Sequence, residues 1–600
     1  MNTLPNECIF EIFNNFRTNY RNLFSCLLVN RLWCTIIIPI LWRNPTVHFG
    51  DRRLLKLCLS TLNAKEQALL VPFNIILPKF PNPLFAYTSY ATSVDGSSLT
   101  VPIIDWLMDE GFINGSHVSI SADNGDDYFP VTAVKCSLIA MFLRTSRKIK
   151  GLNFDGGISD KKIFNHLCKN ATITSLEFYV EQFNSEATEI LVEILYKNSI
   201  TSLDLAHNDI SSEKWNAIAK ALHQNTTITS VNLSCNQLDF TRSKALIMAL
   251  CMKPTLKSLN LFYNDLDARC LEIITEALCK NLSLTTLNLG ANPFGFEGIN
   301  ALMKALHTNT TLTSLRLYLS SINFDGIKVL AEALCINTTL TSLNVGCNFF
   351  GPECAELLAE ALYKNTTLTK LDIEENRIGS SGLKALAKAL HKNNSLTILH
   401  LGNNLIDFEG GKAFAKALCV NTSLIDVDLG INRLGPEGII ALTEALCKNT
   451  TLITLRLYDL SNNNLGFEDG KALAEVLYVN TTLTFLDLSC NNLGPESVEV
   501  LAEALCKNIT LTTLKLDANH VDSRGVRALE KVLYMNTSLI YLHLSYNEFG
   551  FESEKALIET LSKNNTLITL YLYRQDMSAE DRINLNKILR INGIQTSVRF

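Results

Sequence analysis

Residues 337–364 read NTTLTSLNVGCNFFGPECAELLAEALYK, and variants of this 28-residue pattern fill most of the chain. Apolar residues at Leu340, Leu343 and Val345 stand among polar ones, which predicts a short strand. The second half of the pattern has apolar residues at helical spacing and strong helix formers, as in its AEAL segment. Each copy is therefore predicted to be one strand followed by one helix.

The copies recur at a constant interval. Pairs of the Leu-x-Leu type begin every 28 residues from Leu203 to Leu455, then 31 residues later at Leu486, and again every 28 residues to Leu570. This spacing gives fourteen clear repeats, and two less regular ones precede them. A single strand–helix unit cannot bury its apolar face alone, whereas stacked units share one core. We therefore predict an α/β solenoid of about 14–16 repeats over residues 151–600.

Asparagines mark fixed positions in the repeat. One lies five residues after the start of almost every pair, from Asn208 to Asn547, with Ser320 as an exception and Asn463 in the longer repeat. An amide both donates and accepts hydrogen bonds, so we expect it to satisfy backbone groups of neighbouring repeats. Asn-x-Ser/Thr sequons such as the one at Asn365 also recur before the strands. The N-terminus lacks a signal-peptide pattern, so we interpret them as polar turns.

This pattern resembles the leucine-rich repeat of the ribonuclease-inhibitor type, and the resemblance covers about residues 150–600. It implies a horseshoe-shaped solenoid in which a parallel sheet forms the concave side and helices form the convex side. The last segment, from Leu570 to Phe600, lacks the asparagine and is expected to be the capping unit.

Residues 1–49 do not follow the repeat. They contain LPNE at 4–7, CLLVNRLW at 26–33 and LWR at 41–43, within three segments of helical spacing. This segment resembles an F-box, and the whole chain resembles fungal F-box/leucine-rich-repeat proteins. The resemblance implies docking on the adaptor subunit of a cullin–RING ubiquitin ligase. By position, the implied contacts are Leu4, Pro5, Ile9, Phe13, Val29, Trp33 and Trp42. The alternative is a helical cap that only closes the solenoid.

Residues 50–150 form neither a repeat nor a bundle. Four prolines between residues 72 and 83 interrupt any long helix there. We predict a connector of mixed helical and extended segments between the bundle and the solenoid.

The repeats themselves show which strand-face positions vary. Most repeats carry small residues two positions after the residue that stands between the paired leucines. Aromatic and charged residues at that later position, beside it, and between the leucines are therefore candidate contacts for a target protein. The candidates are Phe262, Tyr263, Arg316, Tyr318, Asp372, Glu374, Glu375, Asp428, His543, Tyr546, Tyr571 and Tyr573. The acidic ones, with Asp426, are expected within roughly 10–15 Å of one another on neighbouring strands. They suit a basic segment of a partner, and the alternative is a solvated acidic face.

Composition excludes several classes. The net charge is −6 and only 19% of residues are charged, so no basic excess predicts nucleic-acid binding. No apolar run is long enough to cross a membrane. The 17 cysteines include no C-x-x-C pair and are interpreted as reduced thiols. No hydrolase or metal-binding motif is present, so we predict no catalysis, cofactor or metal.

These patterns lead to one functional hypothesis and two rivals. The chain is interpreted as the non-catalytic substrate receptor of a cullin–RING ubiquitin ligase, monomeric within that complex and located in the cytoplasm or nucleus. The first rival is a protein-interaction scaffold or inhibitor with no ligase link. The second is a GTPase activator, because the Ran GTPase-activating proteins share this repeat type.

Overall fold

The computed structural model describes residues 4–16, 20–77, 85–113, 129–155, 172–179, 183, 185–197, 199–280, 283–460, 465–573, 578–591 and 597–599. The chain divides into two compact units, Met1–Thr285 and Thr286–Phe600. The first contains the N-terminal bundle, the connector and the first repeats, and the second contains further repeats. The predicted Asn463 lies outside the described residues.

The N-terminal bundle has the predicted helical character. Its helices are α1 (Asn6–Asn14), α2 (Tyr20–Leu27) and α3 (Arg31–Leu41). Its buried core consists of Ile9, Phe13, Leu23, Ile37 and Ile40. Helix α3 begins after Asn30, whose side chain accepts a hydrogen bond from the Trp33 N–H at 2.8 Å.

The connector is mixed, as its prolines indicate, and it also joins the sheet. Its α-helices are α4 (Arg52–Leu59), α5 (Ala64–Gln67), α6 (Thr100–Asp109) and α7 (Phe129–Thr145). Two hydrogen bonds from the Arg144 guanidinium to the buried Glu66 carboxylate, at 2.6 and 2.9 Å, tie α7 to α5. Strand β1 (Ser93–Asp95) pairs in parallel with β2 (Gly151–Asp155), so the sheet begins within the connector.

Each repeat begins with a strand, and neighbouring strands within a unit are parallel. In the first unit β1 and β2 are followed by β3 (Ser175–Tyr179), β4 (Ser202–Asp204), β5 (Ser230–Asn232) and β6 (Ser258–Asn260). In the second unit the strands are β7 (Thr286–Asn288), β8 (Ser314–Arg316), β9 (Ser342–Asn344), β10 (Lys370–Asp372), β11 (Ile398–His400), β12 (Asp426–Asp428), β13 (Thr454–Arg456), β14 (Phe485–Asp487), β15 (Thr513–Lys515), β16 (Tyr541–His543), β17 (Thr569–Tyr571) and β18 (Ser597–Arg599).

A helix follows most of the described strands, and buried residues of these helices belong to the hydrophobic core. The first unit contains α8 (Ser185–Tyr196), α9 (Ser212–Gln224), α10 (Phe240–Cys251) and α11 (Ala268–Lys280). The second contains α12 (Gly295–Leu306), α13 (Phe324–Ile336), α14 (Pro352–Lys364), α15 (Gly379–Leu390), α16 (Phe408–Leu418), α17 (Gly435–Leu446), α18 (Phe467–Val479), α19 (Gly494–Leu505), α20 (Ser523–Met535), α21 (Phe551–Leu561) and α22 (Ala579–Ile591). The strand–helix solenoid predicted from the repeat is confirmed.

The leading leucine of each pair lies at the centre of its strand and points into the core. Leu371, for example, is buried and pairs with Leu343 on one side and Leu399 on the other. The 31-residue interval leaves this register intact, because Thr454 of β13 still pairs with Phe485 of β14. The three extra residues are therefore accommodated between strands and not within the sheet.

The predicted asparagines connect successive repeats. The Nδ2 of Asn432 donates to the carbonyl of Leu401 in the preceding repeat and to that of Leu429 in its own, both at 3.0 Å. Its Oδ1 accepts from the N–H groups of Asn404 and Ile406 at 3.0 and 3.1 Å. The same arrangement recurs along the array, and we call it the turn ladder.

The sequon asparagines form a second series, the helix-end ladder. The Nδ2 of Asn393 donates to the carbonyls of Leu362 and Asn365 in the preceding repeat, at 2.7 and 3.0 Å. Its Oδ1 accepts from the N–H groups of Ser395 and Leu396 at 3.2 and 2.9 Å. Sequon asparagines in this ladder are buried, so their side chains are not available to carry a glycan. Their interpretation as structural turn residues is confirmed.

Replacing Asn393 by Ala tests the helix-end ladder. It leaves two buried carbonyls and two buried N–H groups without their partner, so we expect the free energy of unfolding to fall by on the order of 2–3 kcal/mol. The adjacent Asn394 is exposed, and Asn394→Ala is the matched control with an expected change below about 0.5 kcal/mol. Urea denaturation of both variants measures the difference, and equal losses would contradict the role given to the ladder.

Candidate functional site

The predicted adaptor contacts occupy two kinds of position in the bundle. Leu4, Pro5 and Val29 are exposed and available for contact. Ile9 and Phe13 belong to the buried core, so they support the bundle from inside and do not lie on its surface.

The two tryptophans of the predicted set are half-buried. The Trp33 ring packs edge-on against Phe13 with ring centroids 4.9 Å apart, and the Trp42 ring stacks on Tyr87 of the connector, also at 4.9 Å. Large exposed residues that the sequence analysis missed are Phe10, Phe16, Phe24, Leu28 and Leu32. Phe10, Phe24 and Leu32 lie on their helices outside the stripe that forms the core, which is the signal that could have found them, whereas Phe16 and Leu28 lie just beyond the ends of α1 and α2.

In the second unit, one surface of the sheet is formed by the strand residues that flank each buried central residue and by the turn residues that follow. We call this surface the outer face. In β10, Lys370 and Asp372 flank the buried Leu371, and the turn continues with Glu374 and Glu375. Side chains from several strands meet on this face because the strands are parallel and in register.

The predicted acidic residues gather around one imidazole. The His400 Nδ1 lies 3.7 Å from the Asp372 carboxylate and 3.8 Å from the Glu374 carboxylate. The His400 Nε2 lies 3.9 Å from the carboxylate of Asp426. Glu375, predicted in the same set, turns aside and accepts a hydrogen bond from the Cys347 thiol, with Sγ to Oε2 at 2.8 Å.

Arg456 neutralises part of this cluster and was missed by the sequence analysis. Its guanidinium makes a close contact with the Asp426 carboxylate through Nη1 and lies 3.4 Å from it through Nη2. Its Nε lies 4.0 Å from the buried Asp428, whose other oxygen accepts from the Gly430 N–H at 2.9 Å. Asp372 and Glu374 are therefore the carboxylates of this cluster that Arg456 does not contact, and because the cluster is partly buried, a uniformly solvated acidic face is not what the structure shows.

Burial and crowding change the acidity of this cluster. Burial, followed by the nearby Asp372 and Asp428 carboxylates, raises the pKa of Glu374 to about 7. Burial also raises the pKa of Asp428, against the effect of the Gly430 N–H and Arg456. For His400 burial lowers the pKa, but Asp372 and Glu374 outweigh burial and raise it.

Glycines make room for these side chains. A Cβ on Gly402 would lie 3.6 Å from both the Glu374 side chain and the Asp428 carboxylate. A Cβ on Gly430 would lie 2.5 Å from the Tyr458 ring, so only glycine allows that ring to lie against the sheet. Gly402 and Gly430 therefore leave room for the Glu374, Asp428 and Tyr458 side chains on the outer face.

A second group of predicted residues lies at β16, β17 and the turns after them. The rings of His543 and Tyr571 stack with centroids 4.0 Å apart, and those of Tyr546 and Tyr573 meet edge-on at 5.2 Å. Burial, together with Lys515, lowers the pKa of His543 to about 4, so its ring is neutral at neutral pH. Tyr546 and Tyr573 are exposed, which gives this surface an aromatic character.

The remaining candidates are placed separately. In the first unit Tyr263 is exposed beside the half-buried Phe262, with ring centroids 6.1 Å apart. In the second unit Arg316 is exposed, while the Tyr318 hydroxyl oxygen lies 3.2 Å from the Cys347 sulfur.

Three of the exposed candidates share an unusual backbone conformation. Tyr263, Glu375 and Tyr546 each directly precede a turn-ladder asparagine and have φ of 51°, 55° and 58°. This left-handed conformation costs a non-glycine residue roughly 1–2 kcal/mol. It recurs before the turn-ladder asparagine in most repeats, so it belongs to the repeat and holds these side chains outward.

Family models match both parts of the chain. The F-box-like family model matches residues 1–48. The Leucine Rich repeat model matches residues 196–213, 224–239, 337–359, 364–387, 392–415, 420–442, 479–502 and 507–529. The repeats thus define a leucine-rich-repeat protein. With the N-terminal segment, the chain has the architecture of an F-box/leucine-rich-repeat protein.

No curated protein matches the chain significantly. Among solved structures, the TLR13–ssRNA13 complex is 18% identical with a TM-score of 0.44, and the match covers 72% of this chain and 57% of the receptor chain. An internalin (inlF) from Listeria monocytogenes is 18% identical with a TM-score of 0.35, covering 70% of this chain and 96% of the other. The actin-binding site 2 of leiomodin-1 is 20% identical with a TM-score of 0.22, covering 26% and 88%.

None of the described helices combines the length and the apolar character needed to cross a bilayer.

Replacing Glu374 by Gln tests the electrostatics of the acidic cluster. The pKa of Glu374 is about 7 when folded and near 4.5 when unfolded, so the folded state holds more protons between these values and stability falls as pH rises through this window. We expect Glu374→Gln to raise the melting temperature relative to wild type at pH 8 and to leave it unchanged near pH 4.5, in metal-free buffer. Glu356→Gln, on the exposed face of α14, is the control and should show no such pH-dependent gain.

Proposed function

We propose that this chain is a non-catalytic substrate receptor of a cullin–RING ubiquitin ligase, acting in the cytoplasm or nucleus. In this role the bundle binds the adaptor and the repeats bind a target protein. The observation that carries the proposal is the exposed apolar surface on a bundle that matches the F-box-like model.

The bundle surface is suited to docking because its apolar side chains are left in contact with water. Phe24, Leu28 and Val29 are exposed, although the bundle has its own buried core. Contiguous exposed apolar residues on a small domain mark interaction sites, because covering them recovers about 25 cal/mol per Å². A partner that covers this surface would gain both affinity and orientation.

The repeats offer a target surface held by a stiff framework. Tyr546 and Tyr573 stand exposed on the outer face, and the ladders fix the backbone beneath them. Exposed aromatic residues on a rigid surface are typical anchors of protein interfaces. The chain would act by proximity, because it holds a target lysine near ubiquitin-transfer machinery supplied by other subunits.

The rival function, a scaffold or inhibitor with no ligase link, uses the same target surface. It differs in one respect only, which is whether the bundle surface binds an adaptor. Adaptor binding therefore decides between the two functions.

Replacing Val29 by Asp tests adaptor docking. Val29 is 59% exposed, so the fold should survive, but a carboxylate buried in an apolar interface should weaken binding of purified adaptor by more than about 100-fold. Val101→Asp is the matched control, because Val101 is 64% exposed on α6 of the connector and should bind as wild type does. Surface plasmon resonance with the full chain measures both. Binding of no adaptor paralogue by the wild type would leave the scaffold function standing.

Replacing Tyr546 by Ala tests the target surface. Quantitative affinity capture from a eukaryotic extract should lose target proteins with this variant but retain the adaptor and cullin. Tyr534→Ala is the control, since Tyr534 is equally aromatic and exposed but lies on α20, away from the outer face. Identical captured proteins for both variants and wild type would show that the target binds elsewhere.

A further inference from the structure

Three side chains of the outer face point at a common space between β10 and β11. Asp372 lies at the end of β10, Glu374 in the turn after it, and His400 at the end of β11. One nitrogen of His400 and one oxygen from each carboxylate lie within 4.8 Å of one another. From this juxtaposition we propose that Asp372, Glu374 and His400 bind a divalent transition-metal ion of the zinc type.

The spacing between the histidine nitrogen and each carboxylate oxygen fits such an ion. Two ligands bound tetrahedrally at about 2.1 Å from a zinc ion lie about 3.4 Å apart. The His400 Nδ1 is 3.7 Å from the Asp372 oxygen and 3.8 Å from the Glu374 oxygen. Those distances are too long for hydrogen bonds and only a few tenths of an ångström longer than shared coordination requires.

The imidazole lacks the partners that a structural histidine would have. Neither ring nitrogen lies within hydrogen-bond distance of a partner among the described residues: Nδ1 faces the Asp372 and Glu374 carboxylates, and Nε2 lies 3.9 Å from the Asp426 carboxylate. Coordination through Nδ1 would use the free lone pair of the neutral ring.

The Asp372 carboxylate is already held by a hydrogen bond, whereas the Glu374 carboxylate is repelled by its neighbours. Asp372 accepts from the Asn344 side chain at 2.8 Å, which is the kind of outer-shell bond that orients a metal ligand. No described group donates a hydrogen bond to the Glu374 carboxylate, which faces Asp372 and the buried Asp428. A dication between Asp372 and Glu374 would relieve this repulsion.

The chemistry of the three side chains indicates which kind of ion they would bind. An imidazole with two carboxylates suits zinc, cobalt or a similar ion, whereas calcium and magnesium prefer oxygen ligands alone. Three protein ligands leave a zinc ion one further position, which water can fill.

The repeat supplies variants that should fold. Position 374 is glycine in the repeats at Gly346 and Gly402, and position 400 is asparagine in the repeat at Asn344. Glu374→Gly and His400→Asn therefore install residues that the same framework already carries. His543→Asn is the matched control, because His543 occupies the equivalent strand position but lies near a single carboxylate, that of Asp517 at 3.7 Å.

The experiment titrates the metal-free full chain with Co²⁺ and follows its visible absorption, then repeats the titration with Zn²⁺ by calorimetry. We expect one site in the wild type and in His543→Asn, and more than about 100-fold weaker binding in Glu374→Gly and His400→Asn. A saturating ion should also raise the melting temperature of the wild type but not of these two variants.

Several results would overturn the proposal. One is equal binding by the wild type and His400→Asn, and another is no saturable binding by the folded wild type. A third is an intense ultraviolet sulfur-to-cobalt charge-transfer band at the first equivalent, which would assign the ion to cysteine thiolates. Loss of binding in His543→Asn would also place the ion elsewhere.

Discussion

Hydrogen bonding of buried asparagine amides is the constraint on which the rest of the structure depends. Strands of three residues leave most of each turn without strand partners, and the interior offers no water to replace them. A primary amide answers this need, because its two donors and its acceptor reach both the same repeat and the next. The ladders therefore fix the register of the strands, and the register decides which side chains meet on the outer face.

The fold was predictable because the same sequence pattern recurs in many repeats, so each element is indicated many times. Leucine spacing, helix formers and the asparagine five positions after each pair all agree, and the structure confirms the strand, the helix and the turn ladder. The helix-end ladder was seen only as a row of polar turns, since a sequence does not show which side chains are buried. Strand β1 was also hidden, because it lies in the connector and has no repeat of its own.

The outer face was harder to predict, because it is assembled from residues 28 or more positions apart. The acidic residues and tyrosines were visible as departures from small residues, and the structure brings Asp372 and Glu374 together as expected. Arg456, one strand beyond Asp428, was not foreseen, since spacing alone does not show where a long side chain points. In the bundle, residue type likewise failed to separate the buried Ile9 and Phe13 from the exposed Val29.

Because the ladder hydrogen bonds are alike in most repeats, a chain of this kind can gain or lose repeats during evolution. Most of the described repeats offer their neighbours the same donors and acceptors, so a copy placed beside a different copy finds the interface it needs. Duplication or loss of a coding segment for 28 residues would lengthen or shorten the array without a new core having to be selected. Recombination between repeats would then rearrange the outer-face side chains in whole strands, while the buried amides stay the same.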